Sequence, residues 1–285
     1  MTLNNKLVVS ASPHDRSPRT VRSLMLDVII ALIPALIASV IFYGPRALLI
    51  ECVSVATCVI FEYITRIAFK RPQSIGDLSA VITGLLLAFN LPVSIPLWMV
   101  VVGALVAIVV AKQFFGGIGQ NFVNPALAGR IVLLTSFPVA MSTWTQPLTW
   151  TMSKLDGITS ASPLSSIHGM ISGGEAPDVS LVEMLIAGKG DFRFMIYELL
   201  GGGLLLGAIF MATDYTTSPI TFKGKIIFGV GCGLITAVIR IFGNLPEGVS
   251  YSIIIMNILV PLIENATLPK PFGTPKKEKK EAEAK

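Results

Sequence analysis

Three hydroxyl side chains, Thr159, Ser160 and Ser162, stand close together in the stretch Asp156-Gly157-Ile158-Thr159-Ser160-Ala161-Ser162-Pro163-Leu164. Such a cluster can accept a phosphoester, because that chemistry asks only for an unhindered hydroxyl on a segment that a modifying enzyme can grip. The neighbours supply the setting. Five of the seven residues from 156 to 162 are Gly, Ser, Thr or Asp, types that favour turns and caps, and Gly157 and Pro163 disfavour regular secondary structure. The plainer reading is a helix start, with Ser162 as cap and Pro163 in the first helical position. The surroundings decide between the two.

Those surroundings are a membrane. Of 285 residues, 53% are hydrophobic and only 14% are charged, with a mean hydropathy of +0.74. This composition predicts an all-α integral membrane protein. Stretches near the roughly 20 residues that cross a bilayer run over 24–43, 47–65, 75–91, 94–111, 125–141, 195–213, 226–243 and 249–266. They make about eight transmembrane helices, within a range of eight to ten. The first follows a charged leader and lacks a small-residue cleavage site, so it reads as a retained helix.

Lysine and arginine accumulate on cytoplasmic loops. With the N-terminus inside, 16 of the 22 basic residues, Lys112 among them, gather on one face; Arg46, Lys154, Lys189 and Arg193 fall on the other. Both termini are therefore expected in the cytoplasm. The chain divides into a cytoplasmic segment 1–23, a membrane domain 24–266 and a solvated, disordered tail 267–285. Its polar insertion 142–193, with Ser162, lies outside. The net charge of +5 thus reports topology, and no aromatic-studded basic surface points to nucleic acid. Cys52, Cys58 and Cys232 lie in apolar spans and read as inert thiols; with two histidines in the chain, no metal site is expected.

Gly116-Gly117-Ile118-Gly119 lacks the strand–turn–helix context of a dinucleotide fingerprint and reads as a break between spans. Gly201, Gly202, Gly203, Gly207, Gly229, Gly231 and Gly233 read as points of close helix approach, with room for a flat ring as the second reading. Asn124-Pro125-Ala126 matches a water-channel tripeptide but has no second copy, so it reads as the cap and first turn of the fifth helix. Breaks at Gly119 to Arg130 and at Gly243 to Pro261 echo one another, which predicts a two-half internal pseudo-repeat. Asp27, Glu51, Glu62, Asp77, Arg130, Asp214, Arg240 and Glu264 are candidates because charge in or beside a span is costly. Arg130 and Arg240 fall at corresponding places of the halves, where a guanidinium could pair with a buried carboxylate or grip a phosphate or ring oxygens.

Motifs along most of the chain carry a resemblance. They are Ser12-Pro13-His14 with Arg22 and Asp27, Thr83 through Pro92, Lys112 through Ala126, Met211-Ala212-Thr213-Asp214-Tyr215-Thr216-Thr217-Ser218-Pro219, and Glu247 through Glu264. Together they resemble the D-subunit family of Rnf electron-transport complexes, with the B subunit of the sodium-pumping NADH:quinone reductase as a neighbouring branch. Residues 156–162 likewise resemble the site at which flavin transferases attach FMN through a phosphoester.

The resemblance implies covalent FMN on Ser162, where the family usually has threonine, with Thr159 and Ser160 as secondary acceptors. Asp156, Gly157, Thr159, Ser160 and Ala161 would form the flavinylation motif. It also implies a second, noncovalent flavin such as riboflavin, and Arg130 and Arg240 are candidates to bind a flavin. The implied protein is a multi-pass subunit of a bacterial or archaeal cell (inner) membrane, working with RnfA, RnfB, RnfC, RnfE and RnfG and matured by a flavin transferase. It would relay electrons in a complex coupling ferredoxin and NAD to Na+ or H+ movement, and would turn over no substrate alone. The alternative from the residues is a transporter or channel, which broken helices and intramembrane charges would also serve. A purely structural membrane anchor leaves those charges without a use.

Overall fold

The computed structural model describes residues 19–145, 148, 159–160, 203–242 and 248–268. Helix α1, Val21–Tyr43, starts at Thr20, whose Oγ1 accepts the Ser23 N–H at 3.2 Å. It runs through Pro34 and ends at Gly44, where φ is 77° and the N–H reaches the Val40 carbonyl at 2.9 Å. Pro45 then opens α2, Pro45–Ala68, because a first-turn residue has no intrahelical N–H bond to lose. One glycine therefore turns the chain between two long helices.

Helix α2 buries Glu51, Ser54, Cys58, Glu62, Thr65 and Arg66, a three-and-four spacing that makes one stripe. Leu48, Leu49, Ile60, Ile64 and Ile67 face outward. The arrangement inverts that of a water-soluble helix, as expected where lipid is the solvent and interhelical contact needs polar or small groups.

A 3-10 turn, Ile75–Asp77, leads into α3, Ser79–Ala88. Helix α4, Leu97–Leu105, continues as a π-helical segment over Val106–Gln113. Helix α5, Pro125–Ser136, is capped by Asn124, whose Oδ1 accepts the N–H groups of Ala126 (3.1 Å) and Leu127 (3.4 Å), as the sequence predicts. Helix α6 is Pro138–Ser142, and β1, Trp144–Thr145, pairs antiparallel with β2, Thr159–Ser160. The second part holds α7, Leu204–Leu206, which continues as a π-helical segment Gly207–Met211, then α8, Phe222–Phe242, and α9, Val249–Thr267.

The all-helical membrane architecture is as expected, with a two-residue bridge the one strand pairing among the described residues. At four of the eight expected crossings the described residues form helices long and apolar enough to span: Val21–Tyr43, Pro45–Ala68, Phe222–Arg240 and Val249–Thr267. The expected spans 75–91, 94–111 and 125–141 become the shorter apolar helices Ser79–Ala88, Leu97–Gln113 and Pro125–Ser136. Their ends are non-helical, and such backbone is tolerated at membrane depth only where protein surrounds it. Much of α3, α4 and α5 is accordingly buried, whereas α1 buries only Leu32.

Small residues set the helix spacing. A Cβ on Gly84 would stand 2.7 Å from the Val55 Cα, and the Ser54 hydroxyl donates to the Gly84 carbonyl at 2.7 Å, so α2 and α3 touch backbone to backbone. On Gly129 a Cβ would come within 2.6 Å of the Gly103 carbonyl oxygen, which joins α5 to α4. In α8, close packing explains Gly231, where a Cβ would meet the Met256 side chain, but Gly229 and Gly233 have nothing within 4 Å. Those two line a groove of about 570 Å3 between the α7 segment, α8 and α9.

Candidate functional site

Both π-helical segments end at the same place. A π turn inserts an extra residue, shifts the face that follows, and recurs at functional sites. The first brings Lys112 and Gln113 inside; the second is followed by a break carrying Asp214. Lys112 and Asp214 line one cavity of about 490 Å3 with Asp27, Ser79, Thr83, Asn121 and Asn124.

Lys112 is 2% exposed, buried among the helices and not on an exposed loop. Its Nζ donates to Glu62 Oε2 at 2.7 Å and to Ser79 Oγ at 2.6 Å. Ser79 Oγ in turn donates to Asp77 Oδ1 at 2.6 Å, and Ser74 Oγ donates to Glu62 Oε1. Glu62 is fully buried. Burial of both charges is sustained because each finds its opposite and the remaining lone pairs find hydroxyls. The network Asp77–Ser79–Lys112–Glu62–Ser74 starts and ends in the same partly buried turn and reaches the cavity through Ser79 and Lys112.

On the opposite wall, Asp214 Oδ2 accepts the hydroxyls of Thr216 at 3.0 Å and Thr217 at 3.2 Å. Burial pushes the Asp214 carboxyl up, more than the threonine and backbone donors pull it down. Asn124 ties this wall to α5, since its Nδ2 donates to the Met211 carbonyl at 3.4 Å while its Oδ1 caps the helix. With its amide oriented to satisfy both ends, Asn257 accepts the Asn124 N–H at 3.2 Å and donates to the Thr217 carbonyl at 3.2 Å. The α5 start, the break after the second π segment and α9 thus form one hydrogen-bonded frame.

Arg130, at the middle of α5, is buried; its Nη1 donates to Asn90 Oδ1 at 2.8 Å and to Ser250 Oγ at 2.9 Å. It clamps the end of α3 to the start of α9. Arg240 is also buried but sits in the last turn of α8. The two arginines therefore occupy different kinds of position, and neither is among the residues lining the cavity. Thr159 and Ser160 form β2, paired in register with Thr145 and Trp144. Asp156, Gly157, Ala161 and Ser162 lie outside the described residues.

Sequence reasoning missed the Glu62–Lys112 pair and the parts played by Asn90, Ser250 and Asn257. One signal was available for Lys112: it continues the apolar run 97–111 with no polar residue between.

Known proteins resemble the chain over nearly its whole length. The model of the NQR2, RnfD, RnfE family matches residues 8–190 and 180–273. The chain is 41% identical to the D subunit of the Na+-translocating ferredoxin:NAD+ oxidoreductase complex of Acetobacterium woodii, over 98% of each chain. It is 35% identical to the D subunit of the proton-translocating complex of Clostridium ljungdahlii, over 95% of this chain and 97% of that one. The D subunit of an ion-translocating oxidoreductase complex of Haemophilus influenzae is 31% identical over 95% of this chain and 99% of its own. Matches that run from end to end, across the broken helices and the cavity alike, establish that the chain belongs to the NQR2, RnfD, RnfE family.

Proposed function

We propose that the chain is the D subunit of an Rnf-type complex, a membrane electron-transfer subunit carrying FMN esterified to Ser162 on its external segment. The observation that carries this reading is the similarity over nearly the whole length to the D subunits of two ferredoxin:NAD+ oxidoreductase complexes. Partners follow from it: the A, B, C, E and G subunits, and a flavin transferase for maturation. The two relatives differ in the ion named, Na+ in one and protons in the other, so the reading covers both.

The cavity between the π segments suits a second, noncovalent flavin such as riboflavin. Its volume of about 490 Å3 lies within the roughly 300–1,000 Å3 of ligand pockets. The polar lining also fits: the amides of Asn121 and Asn124 and the Lys112 ammonium each keep one N–H beyond those bonded within the protein, and the Thr83 hydroxyl keeps a lone pair, matching a ring edge bearing carbonyl oxygens and nitrogens. A flavin bound there supplies electron transfer; the protein supplies position and electrostatics. Lys112 presents positive charge whose place is fixed by Glu62 and Ser79. The Asp214 carboxyl, pushed up by burial, stands on the opposite wall. A covalent tether on the external face keeps a cofactor that no cytoplasmic pool could replace.

Deletion and complementation test the reading. Membranes of a strain lacking the chain lose ferredoxin-dependent NAD+ reduction; wild type and Ser162→Thr restore it, and Ser162→Ala does not. Full restoration by Ser162→Ala contradicts it. The second reading, a solute or ion pathway, is favoured by the two broken helices meeting at a cavity, and it predicts that Ser162→Ala is silent.

A further inference from the structure

The turn between α2 and α3 spends charge and strain on something the electron-transfer reading does not use. Helix α2 ends in a paired cap: the Arg71 N–H bonds to the Arg66 carbonyl at 2.9 Å and the Lys70 N–H to the Ile67 carbonyl at 3.0 Å. The left-handed residue of such a cap is usually glycine or asparagine. Here it is Lys70, with φ 52°, so the chain holds a cation where the backbone favours no side chain. Strain of this kind persists where the side chain has a use.

The neighbourhood is cationic without carboxylate partners. Among the described residues Glu62 is taken by Lys112, and no acid stands at ion-pair distance from Arg66, Lys70 or Arg71. Arg71 lies 5.2 Å over the Phe69 ring and donates to the Gln113 carbonyl at 2.8 Å. Arg66 is 8% exposed; its Nη1 donates to the Pro72 carbonyl at 3.3 Å while its Nε has no partner. The Gln113 side chain is fully buried, and neither its nitrogen nor its oxygen is bonded. Beside these donors stand Phe69 and Phe114, 41% and 58% exposed, with ring centroids 5.9 Å apart. Two accessible cations, Lys70 and Arg71, with the buried Arg66 behind them and an apolar ledge at a helix end match an anionic phosphate joined to acyl chains, the pattern by which basic clusters at a membrane surface bind lipid.

We propose that this turn binds the phosphate of an anionic phospholipid, with Lys70 and Arg71 on the headgroup and Phe69 and Phe114 against the chains. Charge complementarity selects a phospholipid with a net negative headgroup over a zwitterionic one, and the exposed rings select a lipid over a soluble anion. The site is independent of flavin and stands or falls separately from the electron-transfer reading.

Native mass spectrometry of the chain in its complex, titrated with phosphatidylglycerol or phosphatidylcholine, tests it. Lys70→Gly is the informative variant, because glycine suits the left-handed position and preserves the cap; Arg71→Gln is the second. The expected result is a preference for phosphatidylglycerol that falls about fivefold with each cation removed, with phosphatidylcholine binding unchanged. No preference in wild type, or one that survives both substitutions, overturns the proposal. Competition by inorganic phosphate as effective as by phosphatidylglycerol reassigns the turn to a soluble anion. Loss of another subunit from Lys70→Gly, with lipid retained, makes the turn a protein interface; either result also overturns the proposal.

Discussion

At the residue scale, Glu62 and Lys112 are the most tightly bound charges in the described chain. Their separation of 2.7 Å in a buried setting means that removing one strands the other, which costs about 3–5 kcal/mol. Lys112→Met or Glu62→Met alone should lower the thermal midpoint of the detergent-solubilised protein sharply. The double variant should recover most of that loss, because two apolar side chains leave no uncompensated charge. A double variant as unstable as the sum of the singles would show that the pair is not the unit of stability.

Asp214 makes a prediction of opposite character. Its folded carboxyl titrates above its unfolded value, so the folded state binds the proton more readily. Stability therefore falls as pH rises from the ordinary carboxylate range through the raised folded value, and is highest below it. Asp214→Asn removes a titrating group but keeps an acceptor for Thr216 and Thr217. Midpoints measured against pH should be flatter for the variant, and a slope unchanged from wild type would contradict the assignment.

At the element scale, the helices are placed by a few points of contact, and glycine substitutions separate those points from bystanders. Gly129→Ala puts a methyl 2.6 Å from the Gly103 carbonyl oxygen, and backbone must move to admit it. Gly233→Ala meets nothing within 4 Å and replaces a poor helix former with a good one, worth roughly 0.5–1 kcal/mol in favour of the variant. Thermal unfolding should find the first destabilised and the second unchanged or stabilised. Equal losses would mean that α8 packs as tightly at Gly233 as at Gly231.

The same elements show what the sequence makes legible. Asn124-Pro125 announces a cap and a first helical turn because both act within a few residues of themselves, and the structure has both. Gly229 and Gly233 carry no local mark distinguishing a packing contact from a groove, since that depends on Met256 and on what faces the helix. The π segments are hidden for a similar reason: an extra residue per turn leaves no trace in an apolar run such as Val106–Ala111. Lys112 reads as a loop cation because its carboxylate partner is 50 residues away.

At the scale of the molecule, two sets of broken helices meet at a cavity between Lys112 and Asp214 that α1 helps to line, and α1 and α8 leave many apolar side chains on the outside. Composition reveals the membrane class, because it is a property of whole stretches. The cavity arises from packing between distant parts of the chain and has no such signature. The polar segment 142–193 belongs to a third kind: its hydroxyl cluster is plain in sequence, and Ser162 lies outside the described residues.

The central claim is the covalent flavin, and one measurement addresses it. The chain is coexpressed with an active flavin transferase, denatured, examined for in-gel flavin fluorescence and digested for peptide mass spectrometry. Fluorescence that survives denaturation, an FMN mass on the peptide containing residues 156–164, and loss of both in Ser162→Ala are the predicted result. A dark band in wild type beside a flavinylated control protein, or a label that persists in Ser162→Ala, would contradict the assignment.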